Sequence, residues 1–172
     1  DEIARACESA MRACDASVAA IVAVGDPERT FANTLLAMEE AVEPVSQVSG
    51  QYAFMAYVSA DDALRAAARE WDEKLDKYMV GLSFREDLYG AIKAFAATEE
   101  AAGLSGEDAR WLAHELRDYR RNGFDLPVSE RQRVRELFGE RVGREVQFRK
   151  NMDDYEDGIV VTREQLAGLP DS

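Results

Sequence analysis

The residues with the most obvious chemical potential form a short run around the single histidine of the chain. The pair His114-Glu115 begins like the zinc motif HExxH, in which two imidazoles one helical turn apart hold the metal and the glutamate polarises a bound water. Here Asp118 stands where the second imidazole is needed, and arginines occupy positions 117, 120 and 121 of the same segment. We therefore expect His114 to be an ordinary residue on a helix face, with zinc binding as the minor alternative.

Carboxylates occur in clusters, which are a second possible source of chemistry. They are Asp61-Asp62, Asp72-Glu73-Asp76, Glu99-Glu100 and Asp153-Asp154-Glu156-Asp157. General acid–base catalysis needs two carboxylates in different environments within one cleft, whereas such runs are typical of solvated helix faces and caps. The last cluster also lacks the glycine and the closing glutamate of a calcium loop. The residues by themselves therefore predict no catalytic and no metal-binding position.

The two cysteines, Cys7 and Cys14, lie on one predicted helix. Their separation of roughly 10 Å at the usual helical rise is too large for a disulfide. Two buried thiols in a reducing, cytoplasmic setting are the prediction, and a redox pair is the alternative. The sequence has neither an apolar run of membrane-spanning length nor a signal peptide, which indicates a soluble protein. Because it begins with Asp1 rather than Met, we expect a processed product or a piece of something longer.

Charge is distributed unevenly along the 172 residues, whose net charge is −13. The acidic balance argues against nucleic acid or an anionic membrane as a partner. Residues 117–150 are nevertheless locally basic, with 10 basic and 6 acidic side chains, whereas residues 1–116 carry 10 and 22. The arginines of the basic stretch are not interleaved with aromatic residues that could stack on bases. We expect them to pair with the acidic remainder of the chain or with a neighbouring domain.

The elements that must position these residues are helices, because apolar residues recur at intervals of three and four almost throughout. The pattern predicts an all-α fold, an antiparallel bundle of about six helices that forms a single domain over residues 1–172. The first helix carries an apolar stripe over residues 3–22, and Gly25-Asp26-Pro27 ends it. The second opens near Thr30 and is expected to kink at Pro44 before it resumes over residues 45–58.

The starts of the next three helices are predicted from their capping residues. Ser59, with Asp62 three residues on, is the expected cap of the third helix. Ser83 or Phe84 begins the fourth helix, and Ser105 caps the fifth.

The last third of the chain contains the clearest signals for the end of one helix and the start of the next. In RNGFDLP (Arg121 to Pro127), Gly123 lies just past one helix and Pro127 just before the next. The predicted apolar side of the sixth helix comprises Val134, Leu137, Phe138, Val142, Val146, Phe148 and Met152.

The helical period fails at residues 158–161, where Ile159-Val160-Val161 predict one short strand. Thr162 and Gln165 then form a capping box for a short helical turn, which Gly168 and Pro170 close. We therefore expect residues 158–172 to be a strand-turn connector.

Taken in order, RNGFDLP and the segment FRKNMDDYEDGIVVTREQLAGLPDS (148–172) resemble the amino-terminal helical region of a known family. It is the thimet oligopeptidase family of zinc metallopeptidases, which includes neurolysin, saccharolysin and oligopeptidase A. The matching positions are Arg121, Asn122, Gly123, Leu126 and Pro127; Phe148, Asn151 and Asp154; and Gln165, Leu166, Gly168, Leu169 and Pro170. The segments FANTLLAMEE (31–40) and WDEKLDKYMVGLSFREDLYGAIKAF (71–95) are also similar in spacing. Two departures are Gln165, where the family more often has Glu, and residues 152–154, where it more often has L-N-E.

The resemblance implies a role for the chain rather than a reaction. In the family, the HExxH helix, its third glutamate ligand and the groups that stabilise the reacting carbonyl lie far downstream, and no position here matches them. Zinc is therefore expected in a catalytic half outside this chain, with no cofactor in the chain itself, which alone should be inactive. The family's two halves flank a deep channel, and the amino-terminal wall restricts substrates to short, flexible peptides. The expected partners are short peptides and the catalytic domain of the same protein.

Two other hypotheses remain open from the sequence. The chain could be a stand-alone helical module that binds peptides or a protein partner and has lost the catalytic half, which predicts a stop codon soon after Ser172. It could also be a generic helical bundle whose likeness to the family is accidental. If a partner half is absent, apolar residues around 159–169 should be uncovered or covered by a second copy, which makes a homodimer possible.

Overall fold

The computed structural model describes residues 2–162 and 164–168, and helices dominate this part of the chain. Six of them have eleven or more residues: α1 (Glu2–Ala23), α2 (Ala37–Val48), α4 (Asp62–Ser83), α5 (Glu86–Ala96), α7 (Gly106–Tyr119) and α8 (Val128–Asp153). Two are single turns, α3 (Met55–Val58) and α6 (Glu99–Ala102). The predicted all-α bundle is therefore confirmed. None of the described helices is both long and apolar enough to span a membrane.

The first two long helices form an antiparallel pair at the centre of the fold. The stripe of α1 is buried as its spacing predicts, and consists of Ile3, Cys7, Ala10, Cys14, Val18 and Ile21. Because these residues recur at three and four, they lie on one face, which packs chiefly against α2. At the start of α1, the hydroxyl of Tyr52 donates to the Glu2 carboxylate over 3.3 Å. The connection between the two helices closes the opposite end.

That closure depends on a buried arginine at the carboxyl end of α1. The Arg29 side chain is only 4% exposed, and its guanidinium donates to the carbonyl oxygens of Ile21 (3.2 Å), Val22 (3.4 Å) and Val24 (2.9 Å). Its Nε also contacts the Asp26 carboxylate at 3.2 Å. The last carbonyls of a helix have no partners within the helix and carry partial negative charge, so a cation there satisfies both needs.

The second helical region starts with a reciprocal cap and continues through its proline. The Thr30 N–H donates to Asn33 Oδ1 over 2.8 Å, and the Asn33 N–H donates to Thr30 Oγ1 over 3.1 Å. Pro44 lies inside α2, and the helix runs on to Val48 without ending there. Two π-helical turns flank α2, at Ala32–Leu36 and Ser49–Ala53. The prediction of one helical region over 30–58 therefore holds.

Two of the predicted helix starts are wrong, and a third is correct in position only. Asp61, not Ser59, caps α4, because its carboxylate accepts the N–H groups of residues 63 and 64. Residues 83 and 84 end α4 instead of opening the next helix, and α5 begins at Glu86. Ser105 stands at the amino end of α7, but its side chain makes no capping hydrogen bond. Because α4 begins at Asp62, Asp61 rather than Ser59 stands at the N-cap position, which the three-residue spacing alone does not reveal.

The RNGFDLP element joins α7 to α8 through a π-helical turn, Arg120–Phe124. Gly123 is buried there with φ 90° and ψ 20°, a conformation that side chains disfavour, and an added Cβ would lie 3.2 Å from Leu126 Cδ1. The Asn122 amide donates to the Ser83 carbonyl over 3.1 Å, which ties the turn to the end of α4. Pro127 directly precedes α8, as predicted.

The longest helix, α8, is buried far less than its apolar residues suggest. Val142 is its one fully buried side chain among the described residues, and Phe138 packs edge-on against Phe84 with ring centroids 5.5 Å apart. Leu137, Phe148 and Met152 are about half exposed or more. The predicted apolar side is therefore only partly correct, because other helices cover just one flank of α8.

The segment after α8 departs from the prediction. Residues 155–162 form no strand, and none occurs elsewhere in the described ranges, so the predicted short strand is wrong. Three β-branched residues favour extended backbone, but a strand also needs a neighbour to pair with. The helical turn does form at Glu164–Leu166, with the Thr162 N–H donating to Gln165 Oε1 over 2.8 Å. Gly168 has φ 96°, whereas the expected contribution of Pro170 lies outside the described residues.

Candidate functional site

The groups that the sequence offers for chemistry mostly serve the structure. His114 is half-buried on α7, and Arg117 and Arg121 both pair with Asp118, at 2.9 Å and 3.5 Å. Over residues 2–162 and 164–168, no group of three or more His, Cys, Asp or Glu side chains is placed to hold a metal ion. These residues do not fit a zinc centre.

The acidic clusters are likewise separated over the fold. The first contains the Asp61 cap and an ion pair between Asp62 and Arg65, whereas Glu99 and Glu100 lie in the first turn of α6. There the Glu100 carboxylate accepts the N–H of Phe31 over 3.0 Å. None of these contacts brings two carboxylates together around a cleft, so they support no acid–base pair.

The two cysteines are fully buried thiols on the inner face of α1. Both Cys7 and Cys14 are 0% exposed, and burial raises the pKa of each thiol. A raised pKa keeps the reactive thiolate scarce. The prediction of two buried free thiols is confirmed, and the geometry gives no support to a redox pair.

An apolar cleft with a volume of about 250 Å³ lies between α1, α2, α4, α5 and α7. We call it the cleft. Its lining combines apolar residues with polar ones from α2, α7, the end of α4 and the π-helical turn after α7. The lining residues are Val18, Leu35, Met38, Glu39, Val42, Met79, Leu82, Ser83, Leu88, Trp111, Glu115, Asp118, Tyr119 and Asn122. Among the residues that the structure describes, no lysine or arginine contributes to this lining.

One wall of the cleft is held rigidly by α7. The Trp111 indole N–H donates to the Glu115 carboxylate over 3.1 Å, and Phe31 packs edge-on against the indole with centroids 5.5 Å apart. Burial raises the pKa of Glu115, and the nearby negative charges of Asp118 and Glu39 raise it further, while the indole hydrogen bond opposes them. The cleft therefore combines an apolar lining with the Glu115 carboxylate, which has no ion pair with Lys or Arg among the described residues.

A second feature is an exposed apolar surface that follows the end of α8. It comprises Phe148, Met152, Tyr155, Ile159 and Val160, each more than 60% exposed, and we call it the tail surface. Phe148 and Met152 lie four residues apart on one face of α8, and Tyr155 follows just after the end of that helix. Large apolar side chains exposed in succession mark surfaces that contact other molecules.

The tail surface is positioned by a polar junction between α8 and α4. The Tyr57 hydroxyl donates to the buried Asp72 carboxylate over 2.7 Å, and the Arg149 guanidinium lies 3.3 Å from that hydroxyl. Arg149 also lies 3.9 Å from Asp72 and 3.6 Å from Asp76, whose pKa is raised by burial and by the charge of Asp72. Two carboxylates one turn apart on α4 thus hold one cation of α8.

Other arginines of the basic stretch divide their contacts. Arg131 pairs with Glu86 at the start of α5, whereas Arg133 and Arg141 pair with glutamates of α8 itself, at 3.1 Å and 3.3 Å. The expected pairing with the acidic remainder therefore accounts for part of the basic charge.

Sequence reasoning missed the cleft and the α4–α8 junction. The four-residue spacing of Trp111 and Glu115 places both on one face of α7, and Asp72 and Asp76 have the same spacing on α4. These spacings are common in helices, so they gave no reason to single out the residues. The burial of Asp72, at 8% exposure, becomes visible only once the helices are packed.

Comparison with known proteins places these features in context. No family model matches the chain. A Dictyostelium discoideum thimet-like oligopeptidase is 28% identical over 173 residues, which cover 99% of this chain and 26% of the relative. Saccharolysin of Saccharomyces cerevisiae is 26% identical over 83% of this chain, and a probable thimet oligopeptidase of Arabidopsis thaliana is 28% identical over 78%; each match covers 20% of the relative. The chain thus spans about a quarter or less of the length of these relatives.

Proposed function

We propose that the chain is the amino-terminal helical domain of a zinc oligopeptidase. The matches to thimet oligopeptidases over most of the chain support the resemblance seen in the sequence and do not favour an accidental likeness. In this proposal the domain forms one wall of the substrate channel and limits substrates to short peptides. The observation that carries it is the extent of the matches, since almost the whole chain aligns with only 26% of a much longer oligopeptidase.

Two properties of the described residues support this division of labour. Several candidate groups take part in caps or ion pairs, as Asp61, Asp62 and Asp118 do, and no cluster suited to a metal is present among residues 2–162 and 164–168. The tail surface leaves five large apolar side chains exposed, which suits a helical wall that packs against further protein. Hydrolysis, and the zinc that would support it, are therefore assigned to a catalytic half in the same protein.

The division of labour is tested by measuring cleavage of a quenched fluorogenic peptide in the presence of zinc. We expect no turnover by this chain alone and turnover once the downstream half is added. Cleavage by the chain alone would refute the proposal. Sequencing the gene beyond Ser172 separates it from the stand-alone binding module, because an in-frame HExxH supports a peptidase and an early stop supports the module.

The role of the tail surface has a matched control within the chain. Phe148 and Phe54 are both exposed phenylalanines, at 64% and 54%, but only Phe148 belongs to the tail surface. We expect Phe148→Glu to weaken association with the downstream half by at least tenfold and Phe54→Glu to leave it unchanged, measured by calorimetric titration. Equal effects of the two substitutions would exclude the tail surface as the contact.

A further inference from the structure

We propose that the cleft is a binding site for a ligand that carries a primary ammonium group on an apolar stem. The inference is independent of the proposed channel wall, because it rests on the lining of the cleft alone. Three properties of that lining carry it: its size, its acidic groups and the absence of a lysine or arginine from its described residues.

The size and polarity of the cleft suit a small apolar group. A volume of about 250 Å³ is just below the range usual for small-molecule pockets. Leu35 and Val18 in the lining are at most 2% exposed, whereas Met38 and Met79 are more accessible. Methionine side chains adapt to ligand shape more readily than branched ones, so the accessible part of the lining can close around a stem.

The sign of the ligand charge follows from the carboxylates. Glu39, Glu115 and Asp118 all contribute to the lining. Asp118 is neutralised by Arg117 and Arg121, but no ion pair with Lys or Arg is formed by Glu39 or Glu115 within the described ranges. The Glu115 carboxylate is instead held by the neutral indole N–H of Trp111. An ammonium group is the complement that such a carboxylate lacks, since a partly buried charge is costly unless it is paired.

An ammonium fits better than a guanidinium or a neutral donor. Glu115 Oε1 already accepts the indole N–H of Trp111, so a bidentate guanidinium would have to share that oxygen with the indole. A compact ammonium can approach the remaining oxygen while its stem lies against the apolar lining. Free alkylamines and the amino terminus of a peptide with an apolar first residue share this chemistry.

The chain provides its own reporter for the test. It has two tryptophans. Trp111 lines the cleft, whereas Trp71 lies on α4 with the Lys74 ammonium 4.4 Å from its ring centroid. In a Trp71→Phe background, the emission of Trp111 therefore follows occupancy of the cleft. Hexylamine, hexanol and hexanoate are matched probes that differ only in the charge of the head group.

We expect hexylamine to shift the Trp111 emission in a saturable way. Hexanol should bind at least about tenfold more weakly and hexanoate should not bind, since a charge-assisted hydrogen bond accounts for this difference. Glu115→Gln keeps an acceptor for the indole but removes the charge, so it should lower hexylamine affinity about tenfold and leave hexanol unchanged. Glu107→Gln, at an exposed position in the first turn of the same helix, is the matched control and should change neither.

Peptide probes distinguish the two sources of the ammonium. Binding of leucyl-leucine amide but not of its N-acetyl form would assign a peptide amino terminus as ligand, whereas binding of hexylamine alone would assign a free amine. The proposal is overturned if hexanol or hexanoate binds as tightly as hexylamine, if Glu107→Gln weakens binding as much as Glu115→Gln, or if neither hexylamine nor the dipeptide amide gives a saturable signal. Circular dichroism confirms that each variant is folded.

Discussion

Replacing Arg29 by methionine should destabilise the bundle more than any substitution of a surface arginine. The guanidinium donates to three carbonyl oxygens at the end of α1 and is almost fully buried. Hydrogen bonds from charged donors contribute about 1.5–3 kcal/mol each, but the three acceptors share one group and water can reach part of the helix end. We therefore expect a loss of about 3 kcal/mol in the free energy of unfolding, near the cost of breaking a buried charge interaction.

Methionine keeps most of the apolar stem, so the measured loss reports on the polar contacts of the guanidinium with the helix end and with Asp26. For a chain of this length the change corresponds to a decrease of roughly 6–12 °C in the midpoint of thermal unfolding, followed by circular dichroism. Arg12→Met is the control, because the Arg12 side chain is 70% exposed and its partner Glu8 lies 3.9 Å away. We expect that control to change stability by less than about 0.5 kcal/mol. Arg29→Met unfolding within that same margin of the wild type would refute the capping argument.

Three further outcomes follow from the described contacts. Gly123→Ala should lower the free energy of unfolding by about 1–2 kcal/mol for the positive φ alone, with a further loss from the contact with Leu126, as measured by urea unfolding. The control is Gly90→Ala, where an added Cβ meets nothing within 4 Å, and a smaller loss for Gly123→Ala than for this control would contradict the prediction. Glu115→Gln should be more stable than the wild type near neutral pH, and the difference should vanish in acid. Burial raises the pKa of Glu115, so the wild type loses stability as the pH rises from the ordinary glutamate pKa through the raised one. A stability difference that grows in acid would contradict this sign. Arg149→Met should weaken the α4–α8 junction by roughly 1 kcal/mol, less at high salt, and a salt-independent loss would show that charge is not the cause.

The parts of the fold that could be predicted are those set by local pattern. The stripe of α1 is specified by residues three and four apart, and the break at Gly123 and Pro127 is specified by backbone chemistry, so both appear as expected. The strand at 159–161 failed because extended preference is local but strand pairing is not, and Val160 is fully exposed with no neighbour.

The candidate sites were beyond the reach of the sequence for a related reason. The cleft takes its lining from five helices that are far apart in the chain, and the α4–α8 junction brings Tyr57, Asp72 and Arg149 together across 92 residues. Their residue types are common in helices, and only packing gives them their burial and partners. The family resemblance could be recognised from the sequence alone, because ordered motifs such as RNG and LP can be identified without knowledge of the structure.

The way α8 is attached has a consequence for local unfolding. Its contacts with the rest of the bundle are ion pairs, the Phe84–Phe138 ring contact and one fully buried side chain among the described residues, Val142, whereas α1 buries six residues along its length. Opening free energies follow the apolar area that each element buries, so the backbone amides of α8 should exchange with deuterium well before those of α1. The helix that presents the tail surface is therefore the one whose order depends most on what binds there.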